Sequence, residues 1–94
     1  MALDQFHPIC DSEIAKIPKK PGVYVLFQIQ IPIHADSAEN LRKEIGRAKG
    51  RFPRASHFAV EPMNGAARDI RLRARELQEK LKLVRTAAFV GSRG

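Results

Sequence analysis

The residues of this 94-residue chain whose types and spacing could do chemistry are mostly cations: 17 Lys and Arg stand against 10 Asp and Glu, a formal net charge of +7. The first 40 residues supply only Lys16, Lys19 and Lys20, with five acids, so the excess lies in residues 41–94. There Arg42, Lys43, Arg47 and Lys49 lead into the basic loop Arg51-Phe-Pro-Arg54. Further on, Arg68, Arg71, Arg75, Lys82 and Arg85 fall within one arc of about 100° when 66–85 is wound as a helix. Cations crowded on one arc repel one another, which points to an anionic partner. Phosphate contacts made by such groups ignore base sequence and weaken with salt. The plain alternative is a solvated helix face with buried aliphatic stems. Base stacking has thin support, since the chain has one Tyr, five Phe and no Trp. His34 is the other group of interest, because an imidazole of ordinary pKa, about 6.5, can act as a general base. It can equally close a strand end, and Tyr24 can be a strand aromatic with its hydroxyl at the surface.

Several classes are excluded or disfavoured. Cys10 is the only cysteine, so no internal disulfide forms, and with three scattered histidines it lacks zinc-finger spacing. A reducing cytoplasm is the expected compartment. No apolar run reaches the roughly 18 residues of a membrane span, and MALDQFHPIC has neither the basic flank nor the apolar stretch of a secretory signal. A 44% hydrophobic content suits a folded chain. One domain is expected over 1–94, with its core at about 11–85 and a frayed tail at 86–94.

The elements that must position these residues follow from pattern. Asp11–Ile17 reads as a short helix, capped by Asp11 or Ser12 and limited by Pro18. Val23–Gln30 is β-branched, aromatic and apolar, as a well-buried strand requires. Ile31 and Ile33 alternate with Pro32 and His34, predicting a second, shorter strand that lies at an edge or bulges at Pro32. Asp36-Ser-Ala-Glu39 has the form of a capping box, and Leu41, Ile45 and Ala48 repeat at helical spacing until Gly50. His57–Val60 is a third strand and Glu61–Gly65 a turn. Ala66–Arg85 carries an apolar stripe of Ile70, Ala74, Leu77, Leu81 and Val84 beside its basic one, and Ala88–Val90 adds a few extended residues. The sum is an α+β domain with a small, mainly antiparallel three-stranded sheet flanked by helices.

Two stretches in this order carry a resemblance. Pro18, Pro21, Gly22, Val23 and Tyr24, followed by Ser37-Ala-Glu-Asn-Leu-Arg42, resemble the GIY-YIG nuclease family, in particular the N-terminal domain of the bacterial excision-repair endonuclease. The likeness covers about residues 12–49 and continues by element order. It implies a GIY-YIG-like fold in which two tyrosines and an arginine surround a scissile phosphate and a glutamate holds one divalent metal. Tyr24 falls at the first tyrosine, His34 at the second, and Asp36 replaces the glycine of the second motif. Glu44 falls at the arginine. The glutamate aligns near Ala74, or with Glu76 after a slip of two, and the asparagine of many members has no counterpart after Asn64.

These substitutions imply a degenerate catalytic set, and so a domain that binds nucleic acid, DNA more than RNA, or serves as a scaffold. Phosphate contacts would come from Arg42, Arg47, Lys49, Arg51, Arg54, Arg68, Arg71 and Arg75, with no cofactor. The alternative is an active, divergent endonuclease using Tyr24, His34, Arg42 and Glu76, with Mg²⁺ or Mn²⁺ on Glu76. A third reading is an interaction module, meeting an acidic protein or a second copy of the chain.

Overall fold

The computed structural model describes residues 7–81. The expectations for Lys82, Val84, Arg85 and the tail fall outside them. Seven elements follow one another: β1 His7–Pro8, α1 Asp11–Ile14, β2 Gly22–Gln28, β3 Ile31–Ala38, α2 Leu41–Arg51, β4 His57–Pro62 and α3 Ala67–Lys80. The strands form one antiparallel sheet in the order β1-β4-β2-β3. The sheet therefore has four strands, where pattern predicted three. The extra strand pairs His7 with Phe58 and Pro8 with His57, and two residues are too few to show any periodicity.

The continuous apolar run of β2 is explained by its position. It is central, with β3 on one side and β4 on the other. Val23, Val25 and Phe27 pack with Ala35, Ala59 and the Ile70, Ala74 and Leu77 face of α3. Tyr24 and Leu26 pack with Ile17, Phe58 and the Leu41, Ile45 and Ala48 face of α2. Alternate side chains of a strand point to opposite faces, so the sheet lies between α3 and α2 and both faces are buried. The apolar stripes expected on the two helices are the ones that bury.

Gly22 closes tightly on its neighbours. A Cβ there would lie 2.3 Å from the Glu61 carbonyl oxygen and 2.9 Å from Leu41 Cδ1. Backbone of β4 and a core residue of α2 thus both use the space that a side chain would fill.

β3 is an edge strand, and its register shifts between Leu26/Phe27, which face His34 and Pro32. Pro32 is thus tolerated both by edge position and by bulge. The strand is longer than predicted. Asp36, Ser37 and Ala38 continue the ladder opposite Tyr24, Val23 and Gly22, so they are not a helix start. The cap is Asn40, whose side chain accepts from the Lys43 amide at 3.2 Å, while Asp36 accepts from the adjacent Ser37 amide. Continued pairing with β2 outweighs the local capping signal. The β2–β3 turn puts Ile29 at φ 60°, and its amide donates to Ser56 Oγ at 2.6 Å.

Further boundaries differ: β2 is Gly22–Gln28 where Val23–Gln30 is expected, and α3 is Ala67–Lys80 where 66–85 is expected. α1 is capped by neither Asp11 nor Ser12: its N-cap is Cys10, whose side chain makes no capping bond to the helix backbone, and its last turn continues irregularly to Ile17. α2 runs past Gly50 to Arg51, and among the described glycines only Gly65 has a positive φ. β4 extends two residues beyond Val60 to Pro62.

Candidate functional site

Tyr24 and His34 meet because β2 and β3 pair in this register. Tyr24 faces Asp36, and His34 lies two residues along β3 on the same side of the sheet. The Tyr24 hydroxyl is 3.3 Å from His34 Nε2, and His34 stacks on Phe52 with ring centroids 4.5 Å apart. From α2, Glu44 reaches the same hydroxyl, which donates to its Oε2 at 3.5 Å. With that proton directed at Glu44, His34 Nε2 donates to the phenol oxygen. Two cations hold the carboxylate: Arg51 Nη1 at 3.4 Å from Oε2 and Arg47 Nη1 at 3.8 Å from Oε1.

The electrostatics follow from burial. Tyr24 is held well above the ordinary phenol range, first by burial and then by the charges of Glu44 and Asp36, so its hydroxyl remains a donor. His34 is pushed down, chiefly by burial; Arg51 adds to this, and Asp36 and Glu44 oppose it. A neutral imidazole beside a protonated phenol is the resting state near pH 7.

The other members of the expected catalytic set are engaged elsewhere. Arg42 Nε donates to the Ile17 carbonyl at 2.7 Å and ties α2 to the segment before β2. Glu76 lies on α3 and accepts from Arg73 Nη1. Arg73 also grips Glu61 in two bonds, Nε to Oε2 at 3.1 Å and Nη2 to Oε1 at 3.0 Å. Glu61 is opposite Val23, a residue of the α3-side core, so this cluster is on the sheet face away from Tyr24. Among the described residues no group of three or more His, Cys, Asp or Glu is placed to hold a metal ion. The donors present do not fit a divalent cation, since Glu76 is committed to Arg73 and stands across the sheet from Tyr24, His34 and Glu44.

The basic residues divide in the same way. Lys49 pairs with Asp11 at 2.8 Å, which holds the lysine up and the aspartate down, and Arg51 lies over Phe52 at 5.8 Å as well as on Glu44. Arg54, Arg68, Arg71 and Arg75 are exposed. An open cleft of about 430 Å³ lies between the end of β3 and α2, lined by Ser37, Asn40, Lys43, Glu44 and Arg47 among others. Sequence reasoning passed over the support of the site. Glu44 and Arg47 are readable as an i,i+3 pair, but the Phe52 stack and the Glu61–Arg73 bond join separate elements and have no local signal.

With this geometry in hand, comparison with solved structures is informative. The chain matches the GIY-YIG N-terminal endonuclease domain of UvrC from Thermotoga maritima bound to magnesium, described there as its catalytic divalent cation, with a TM-score of 0.63. Identity is 19%, over 76% of this chain and 88% of that one. An asparagine-to-alanine variant of the same domain, also with its divalent cation, gives 0.63 over 87% of its length, and a tyrosine-to-phenylalanine variant gives 0.62. The chain therefore has the GIY-YIG endonuclease-domain fold. No protein-family model matches it, and no curated protein matches it closely.

Proposed function

We propose that this chain is a catalytically degenerate GIY-YIG-like domain that binds nucleic acid through an exposed basic surface and does not cleave it. The observation that supports the reading is the carboxylate of Glu44 beside the Tyr24 hydroxyl. Where the resemblance expects an arginine to meet a phosphate, the chain carries an anion already neutralised by Arg47 and Arg51. Stabilising charge on a cleaved phosphate needs donors and cations free to face it. The proposed contacts are Arg68, Arg71 and Arg75 on α3, with Arg54 in the α2–β4 loop, since these guanidinium groups are exposed. Their use of phosphate alone makes binding indifferent to base sequence, and a stiff duplex is the simplest match to a helix face.

Fluorescence anisotropy with labelled duplex and single-stranded DNA and RNA, across a salt series, tests the binding. Affinity should fall steeply with salt, and no binding at about 50 mM salt, or binding without a salt slope, would sink it. Plasmid DNA incubated with Mg²⁺ or Mn²⁺ should remain intact. Nicking that vanishes in Tyr24→Phe would instead establish the divergent endonuclease.

A further inference from the structure

Three donors converge on the Glu44 carboxylate, with Asp36 near enough for its charge to act on the same Tyr24 and His34. The Tyr24 hydroxyl and one Nη1 each from Arg47 and Arg51 converge on its two oxygens, at 3.5, 3.8 and 3.4 Å. A protonated hydroxyl and two guanidinium groups also recognise phosphate oxygens, because planar N–H donors match tetrahedral and planar oxyanions alike. The cleft beside Glu44 extends this character through Lys43, Asn40 and Ser37. Glu39, exposed and without a described cationic partner, also lines it and opposes an anion more weakly.

We infer that Glu44 is the built-in occupant of an oxyanion site: its carboxylate fills the donors of Tyr24, Arg47 and Arg51 and excludes external phosphate from the cleft between β3 and α2. The cost of removing it is electrostatic before it is steric. Without the carboxylate, Arg47 and Arg51 each lose the one ion-pair partner described for them, and a phosphate group in the cleft would take its place. The carboxylate holds the advantage in the native chain because it is tethered, so its local concentration far exceeds that of any free anion. The inference deepens the non-cleaving reading by assigning the reason that phosphate does not enter. Its probe is inorganic phosphate, so it can fail while nucleic-acid binding through α3 stands, and the reverse.

The test is a phosphate titration at constant ionic strength, followed by NMR on the ring resonances of Tyr24 and His34 and on the arginine Nε–H groups. In the wild-type chain these signals should stay in place. In Glu44→Gln, which keeps the volume and an acceptor for the Tyr24 hydroxyl, phosphate should move them and bind at least about tenfold more tightly, a change of about 1.4 kcal/mol. Adding Arg51→Ala should remove most of that gain. Equal affinity in wild type and Glu44→Gln, or no binding in either, overturns the inference. The wild-type titration decides on its own even if the variant folds poorly, because phosphate-induced shifts at Tyr24 and His34 in the native chain also overturn it.

Discussion

At the scale of single residues, the unusual feature is a carboxylate serving as hydrogen-bond acceptor for a buried tyrosine. Tyr24 is only 2% exposed, so its hydroxyl needs a partner, and Glu44 and His34 supply two. His34 gives this arrangement a measurable pH dependence. Its folded pKa lies below its unfolded value of about 6.5, so the unfolded chain takes up the proton first as pH falls. Stability from His34 is therefore fully present above about pH 6.5 and is lost as pH falls through its folded value. Thermal melts of wild type and His34→Gln between pH 8 and 5 should converge toward the acid end. Parallel curves over that window would show that the imidazole is not held neutral. Nothing in the sequence around His34 announces its stack on Phe52, because the two belong to β3 and the end of α2.

At the scale of elements, the legible part of the site is the part set by neighbours in the chain. The apolar run after Gly22 reads as a buried strand, and the Leu41, Ile45 and Ala48 spacing reads as a helix face; both are correct. Capping is misread because Asp36 offers the same local chemistry as Asn40, and only pairing of Asp36–Ala38 with β2 decides between them. The demand on Gly22 is tertiary: β4 and α2 both close on it. Gly22→Ala should cost about 3 kcal/mol through overpacking, lowering Tm by roughly 10–20 °C in a domain this small. A melt shifted by less than a few degrees would mean that β4 can move aside cheaply.

At the scale of the whole molecule, the sheet separates the two groups of cations. α2 covers one face and α3 the other, so their outward arginines point in different directions. Among the described residues, the exposed cations of α2 and α3 thus do not form one continuous patch. A stiff duplex reaches one outward helix face at a time. Replacing Arg68, Arg71 and Arg75 together by Ala should reduce the slope of log K against log salt by about 3, close to one for each phosphate no longer bound. Replacing Lys43 and Arg47 should change it by less than about 1, since Arg47 is held by Glu44. Anisotropy on both variants checks this, and equal losses would place the nucleic acid across the β3 edge instead. Among the described residues no helix is long and apolar enough to cross a membrane.

The sequence by itself determined what depends on near neighbours. It set the order of the main elements, the buried central strand and the faces that α2 and α3 bury. Periodicity and motif spacing are properties of a chain read locally. Tertiary structure alone decided the fourth strand, the choice of Asn40 as the cap, the Glu61–Arg73 bond and the separation of Glu76 from Tyr24. Each of these depends on backbone that returns from a distance, and on which face of the sheet a side chain is sent by strand register. That is why one chain can keep the order of nuclease-like elements while its carboxylates stand apart.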